Sequence, residues 1–172
     1  MPYDVTNITI RSAGKDQLST VAALAERIWP DAYRSILSDG QIRYMLKMMY
    51  DLPVLEQEYA EGTRFDLIYD GDKPIGFTSY GPCPEHPHFC AKLHKLYLDK
   101  AYHDRGIGTL ALRHVIEEAR SREYRVLHLN VNKHNATAIR AYERNGFVKA
   151  RESVTDIGSG FVMDDYVMEI KL

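Results

Sequence analysis

Residues 93–112 read Leu-His-Lys-Leu-Tyr-Leu-Asp-Lys-Ala-Tyr-His-Asp-Arg-Gly-Ile-Gly-Thr-Leu-Ala-Leu. The part through Leu98 is apolar and β-prone, the middle is polar and ends in Gly106 and Gly108, and a helical apolar pattern follows. A strand that runs through a glycine-containing loop into a helix start gathers unpaired backbone N–H groups at the positive end of the helix dipole. That is a common protein solution to holding phosphate.

Upstream, Ile8 and Ile10 alternate with polar residues and predict a first strand. Leu18, Val21, Ala22, Ala25, Ile28 and Trp29 form one helical face, which is expected to end near Pro30. Ser38 and Gln41 have capping-box spacing before a second helical stripe of Ile42, Met45, Leu46 and Met49. Pro53 opens a short third helix that stops near Gly62. Arg64 to Tyr69 and Ile75 to Tyr80 read as strands joined by the turn Asp70-Gly71-Asp72-Lys73.

Downstream of the glycines, Thr109 to Arg120 is an amphipathic helix and Val126 to Val131 a short buried strand. Asn135 to Arg144 is helical and stopped by Asn145-Gly146. Phe147 to Thr155 and Phe161 to Leu172 pair around Gly158-Ser159-Gly160. The order is strand, helices, three strands, helix, strand, helix, two strands. It predicts one α/β domain over residues 1–172 with a mixed sheet.

Composition narrows the function. Twenty-two basic residues against twenty-four acidic ones offer no electrostatic case for nucleic acid or an anionic membrane as partner. Met1 to Ile10 has neither an apolar core nor a basic flank, so no secretion signal is expected, and no apolar run reaches a membrane span. With two cysteines, Cys83 and Cys90, a reducing cytoplasmic setting is the expectation.

Gly106-Ile107-Gly108-Thr109-Leu110-Ala111 fits a dinucleotide fingerprint in isolation. Its context does not. A polar stretch, Asp99 to Arg105, separates strand from glycine, and the next strand ends in Asn130-Val131-Asn132 without a carboxylate for the ribose. A loop wrapping a pyrophosphate from His103 to Thr109, with Arg105 adding charge, needs only the amides and the helix start.

At the next strand–helix junction stands Val131-Asn132-Lys133-His134-Asn135-Ala136-Thr137-Ala138-Ile139-Arg140-Ala141-Tyr142-Glu143-Arg144-Asn145-Gly146-Phe147. With both segments in this order, the chain resembles the GNAT acetyltransferase superfamily over roughly Ile75 to Phe147. The loop matches that family's pattern of Gln or Arg, two residues, Gly, one residue, then Gly or Ala. His103 departs from it at the Gln/Arg position.

The resemblance implies a mixed, mostly antiparallel sheet of about seven strands with helices on both faces, and acetyl transfer from acetyl-CoA to an amine. It implies that His103, Asp104, Arg105, Gly106, Ile107, Gly108 and Thr109 hold the pyrophosphate. Leu96, Tyr97 and Leu98 would offer a strand edge to the pantetheine, with an N–H near Tyr97 facing the developing oxyanion. Asn135 would bond the pantetheine as well as cap its helix. Tyr142 would donate a proton to the departing thiolate, because a phenol of pKa about 10 is protonated at neutral pH.

His94 has two open uses, as base or substrate contact and as a packed strand histidine; His128, between Leu127 and Leu129, reads as structural. Trp29 and Tyr33, between the first helices, are candidates to line an amine pocket. Asp164 lies in register with Val162, Tyr166, Met168 and Ile170, where a carboxylate suggests a paired or ligand-binding role unless a bulge turns it outward. Cys83, His86, His88 and Cys90 are suitable zinc donors, but their spacing and prolines favour a plain substrate-side loop with no metal. The expected acceptor is a small primary amine, best a diamine or polyamine. A peptide amine and a non-catalytic acyl-CoA-binding domain are the alternatives. Some relatives dimerise through the sheet edge, so a homodimer is an expectation by analogy.

Overall fold

The computed structural model describes residues 4–172; Met1–Tyr3, part of the segment read for an export signal, lie outside them. Seven strands form one sheet: β1 (Ile8–Ser12), β2 (Arg64–Asp70), β3 (Lys73–Pro82), β4 (Cys90–Leu98), β5 (Val126–Asn132), β6 (Val148–Gly158) and β7 (Phe161–Lys171). The helices are α1 (Leu18–Tyr33), α2 (Asp39–Tyr50), α3 (Leu52–Ala60), α4 (Ile107–Ser121) and α5 (Ala136–Arg144). The strand order is β1-β2-β3-β4-β5-β7-β6. Only β4 and β5 pair in parallel, as expected where α4 carries the chain back.

Each face of the sheet has its own core. On one, Leu18, Val21, Ala25 and Trp29 of α1 meet Leu46 of α2, Leu55 of α3 and Phe65, Leu67 and Phe77 of the sheet. On the other, Leu112, Val115 and Ala119 of α4 pack with Leu127, Leu129, Phe147 and Met168. Helix α1 does not end at Pro30; it continues for one turn, with the Arg34 N–H closing on the Pro30 carbonyl at 3.0 Å. Proline removes its own N–H but leaves its carbonyl, which closes the final turn.

Ser38 caps α2 through the Gln41 N–H at 3.1 Å. The Gln41 side chain does not complete the capping box. It reaches to the Val162 carbonyl of β7 at 2.8 Å, tying α2 to the C-terminal hairpin.

Two irregularities in β4 create the site. Ser79 pairs with Lys95 while Tyr80 pairs with Leu93, so His94 is an extra residue on β4. Inserting one residue exchanges the two faces of the strand. Leu93 therefore packs with the α4 core, whereas Lys95 lies between the Tyr50 and Phe65 rings, 5.4 and 5.9 Å from their centroids. Beyond the bulge, β4 and β5 also part. Their parallel ladder runs only from Cys90↔Val126 to Leu93↔Leu129.

Among the described residues, no helix is long and apolar enough to cross a membrane. Cys83 and Cys90 are joined as a disulfide, contrary to the expectation of reduced cysteines. They lie on paired strand ends, where the Cys83 N–H donates to the Cys90 carbonyl at 2.9 Å.

Candidate active site

The gap between β4 and β5 opens into a cleft of about 750 Å³. Leu96, Tyr97 and Leu98 form one wall and Asn135, Ala138 and Tyr142 the other. His103, Asp104, Gly106, Gly108 and Thr109 close one end. Because β4 has left β5, alternate N–H and C=O groups from His94 onward face this cleft instead of a neighbouring strand.

The glycine loop is shaped to meet an anion. Asp104 and Gly106 take positive φ, 59° and 79°, and turn the chain into α4 with Gly106 as its N-cap. Gly106 has no side chain to cap the helix, so the first N–H groups of α4 stay available. A Cβ on Gly108 would meet no atom within 4 Å, so the space beside it is open cleft. His103 sits at the departure from the family pattern, with its Nε2 2.8 Å from the Leu98 carbonyl. Ile107 is buried beneath the loop, and Arg105 lies over the Tyr102 ring at 5.1 Å; neither lines the cleft. Lys100, His134 and Arg144 do line it, although the loop motif alone does not point to them. A cleft with uncapped helix amides at one end and an open strand edge along its side fits a CoA-type ligand, a pyrophosphate followed by an amide chain.

Tyr142 stands in the cleft wall 5.8 Å from the Phe147 ring centroid. Burial raises its pKa, and the nearby Tyr33 phenol adds to the effect, so the hydroxyl holds its proton throughout the neutral range. Asn135 caps α5 by accepting from the Ala138 N–H at 3.3 Å.

A second, smaller cavity of about 180 Å³ meets the cleft at Tyr33, His94, Tyr97 and Asn130. Its aromatic wall is one cluster. Tyr33 and Tyr97 share a hydrogen bond of 2.7 Å, and Trp29 packs 4.6 Å from Tyr33 and 5.5 Å from Tyr97. Trp29 is buried, with its Nε1 donating to the Tyr50 hydroxyl at 3.1 Å, so it contributes floor rather than exposed wall. Burial pushes the Tyr33 pKa up to about 12.

His94 keeps solvent contact but is crowded by protein on its cavity side. That desolvation, reinforced by the charges of Lys92 and Lys95 and by His128, lowers its pKa to about 4. At neutral pH it is an uncharged imidazole.

Of the two adjacent aspartates of β7, Asp165 and not Asp164 lines this cavity. Asp164 pairs with Lys133 at 2.9 Å outside both clefts, and Lys133 also reaches Glu152 at 3.3 Å. Asp165 is 4% exposed, hydrogen-bonded by Asn130, and raised in pKa by burial and by the Asp164 charge. Glu58 also lines the cavity and pairs with the buried Lys95 at 2.9 Å. Among the residues of Asp164's parity, Met168 is buried with Tyr166 and Ile170 against the α4 core while Val162 is 49% exposed, so the covered face stops short of Asp164.

His86 and His88 do not join the cysteines. The donor group that forms is Cys83, Cys90 and His128, whose ligand atoms lie within 4.8 Å of one another. His128, read as structural, has its Nε2 3.1 Å from the Cys83 sulfur.

The sequence pattern of the "Acetyltransferase (GNAT) family" matches residues 24–147, and the chain belongs to this family, whose acetyl donor is acetyl-CoA. It is 33% identical over 86 residues to "Probable spermine N(1)-acetyltransferase" of Bacillus subtilis subsp. natto, a match covering 47% of the chain. The chain spans about half the length of this curated relative, 56%. The crystal structure of PaiA N-acetyltransferase from Thermoplasma acidophilum with coenzyme A superposes with TM-score 0.78 and 24% identity, over 96% of this chain and 99% of that one. A GCN5-related N-acetyltransferase from Rhodopseudomonas palustris superposes with TM-score 0.81 and 17% identity, over 100% and 99% of the two chains. These likenesses establish the same fold: α/β, mixed and mostly antiparallel, with seven strands.

Proposed function

We propose that the chain acetylates a primary amine of a small diamine or polyamine by direct attack of the neutral amine on the acetyl-CoA thioester. The observation that carries this reading is the buried Asp165 carboxylate in a cavity that opens onto the CoA-shaped cleft. A desolvated carboxylate with no side-chain cation in direct contact among the described residues is a natural counter-ion for a substrate ammonium. The partial likeness to a protein named as a spermine acetyltransferase points the same way.

Acetyl-CoA supplies the activated acyl group when bound; the chain's residues do the rest. The uncapped α4 amides and the Gly106–Gly108 backbone hold phosphate, and Asn135 and the β4 edge hold the amide chain. Tyr142, whose phenol burial keeps protonated, gives its proton to the departing sulfur. His94 accepts a hydrogen bond from the amine and orients its lone pair; with a pKa near 4 it holds an ammonium proton poorly, so the proton that the nitrogen loses on forming the amide restores the Tyr142 phenol. Asp165 holds the second ammonium.

Thiol release from acetyl-CoA, followed against diamines, polyamines, amino acids and short peptides, tests the reading. The highest kcat/KM is expected with a diamine or polyamine. A peptide amine as best acceptor replaces that substrate class, and CoA binding without turnover of any amine identifies a binding module.

A further inference from the structure

We infer that Cys83 and Cys90 form a thiol–disulfide exchange site for low-molecular-weight thiols, with His128 holding the Cys83 thiolate that exchange releases. The two sulfurs are bonded across the β3–β4 hairpin, and His128 of β5 presents Nε2 3.1 Å from the Cys83 sulfur. Strand pairing already brings the two residues together, through the Cys83 N–H to the Cys90 carbonyl and the adjacent Pro82↔Ala91 pair. A crosslink only seven residues long removes less chain entropy than a longer one would. The histidine against one of the two sulfurs gives the bond a reactive polarity.

Cys83 is 1% exposed and Cys90 8%, and the intervening loop from Pro84 to Phe89 is exposed. A thiolate of the small thiol attacks the Cys90 sulfur, the S–S bond breaks, and its electron pair leaves on Cys83. His128, as the Nε2–H tautomer, donates to that thiolate. A second small thiolate attacks the small-molecule sulfur of the mixed disulfide, releasing Cys90 and the small-molecule disulfide. The two protein thiolates take up the two protons given up by the thiols. The protein is reduced by two electrons and two thiols are oxidised; the small-molecule disulfide drives the reverse.

Four charged groups face His128: Lys92 on β4, Arg151 on β6, Glu85 in the loop and Glu169 on β7. Burial outweighs the two carboxylates and lowers the imidazole pKa, so the neutral donor form is present at pH 7. Lys92, cross-strand partner of His128 and two residues along β4 from Cys90, lines the acceptor cavity. The redox state is thus read in the acceptor cavity and not in the CoA cleft. This last step rests on the acceptor reading above; the exchange itself does not.

The full-length chain is equilibrated in glutathione buffers of graded thiol-to-disulfide ratio, quenched with a maleimide and weighed by mass spectrometry. The expected result is a reversible change between zero and two labels with one midpoint. His128→Ala is expected to slow reduction at least fivefold at fixed thiolate concentration, and His128→Asn, which keeps an N–H donor, to recover part of the rate. If the alanine variant does not fold, the asparagine variant against wild type carries the test. Cysteines that stay oxidised, or stay reduced, across the whole range overturn the proposal, as does exchange at the wild-type rate without the imidazole. Stoichiometric zinc bound by the reduced protein also overturns it, in favour of a metal site. The acceptor KM is expected to differ at least threefold between the two redox forms at constant acetyl-CoA KM. Equal acceptor KM values remove the coupling, while the labelling result stands independently of any activity.

Discussion

At the scale of single residues, the site depends on groups whose protonation the fold has fixed. Tyr142 is buried and keeps its proton, so its value lies in one O–H bond. Tyr142→Phe preserves the ring against Phe147 and removes only that donor; kcat is expected to fall about 100-fold, with acetyl-CoA KM nearly unchanged. Steady-state kinetics check this, and an unchanged kcat removes Tyr142 from the acid role. Asp165 is the opposite case, a group whose ionised form the fold disfavours. Burial raises its pKa above the ordinary 3.8, so its contribution to stability is complete below that value and is lost as pH rises through the raised one. Asp165→Asn is therefore expected to melt about 3 °C higher than wild type near pH 7.5, with no advantage at pH 3.5. The same substitution is expected to raise the KM of a diamine about tenfold. Thermal melts at the two pH values and acceptor kinetics decide both. A variant that gains stability while keeping its diamine KM assigns the carboxylate a role other than substrate contact.

At the scale of elements, two glycines two residues apart do different work. Gly106 needs its left-handed φ of 79°, whereas Gly108 lies within α4 and borders open cleft. Gly108→Ala improves helix propensity by up to about 1 kcal/mol and is expected to leave the melting temperature equal or higher. It should nevertheless raise acetyl-CoA KM about tenfold by filling the space a ligand backbone would approach. Gly106→Ala is expected to lose about 1 kcal/mol of stability as well, because an L side chain resists that φ. Denaturant titrations beside acetyl-CoA kinetics separate the two effects; equal destabilisation by both variants contradicts the distinction. This loop was legible in the sequence because strand, glycines and helix are written in consecutive residues. The β4 bulge was harder to see. Leu93 and Leu96 both face the α4 side although three residues apart, which strict alternation forbids, and only the extra residue at His94 reconciles them. The partner of His128 was hidden for the same reason. The contact joins β5 to the residue that follows β3, and no local pattern reports which residues of separate elements become neighbours.

At the scale of the whole molecule, the cleft takes its walls from elements far apart in the chain. Tyr33 comes from the end of α1, Leu96–Leu98 from β4, Thr109 from α4, Asn130 from β5 and Tyr142 from α5. Cross-ties connect the elements: Arg27 of α1 pairs with Asp99 after β4 at 2.9 Å, and Gln41 of α2 reaches β7. One seven-stranded sheet links them, with β4 and β5 paired up to Leu93↔Leu129 and parted beyond it. A ligand that binds such a cleft engages both cores at once, so its binding energy should act on unfolding as a whole. Free CoA at 100 times its Kd is expected to add about 2.7 kcal/mol to stability, a rise of roughly 5–10 °C in Tm. The rise should appear as one transition moving intact, with tryptophan fluorescence from Trp29 and far-ultraviolet circular dichroism giving the same midpoint with and without CoA. Trp29 lies in the α1–α3 core, away from the α4 face, which makes it a sensitive reporter of any decoupling. If CoA moves the dichroism midpoint and leaves the Trp29 signal behind, the two cores unfold separately, and the cleft belongs to the α4–α5 side alone.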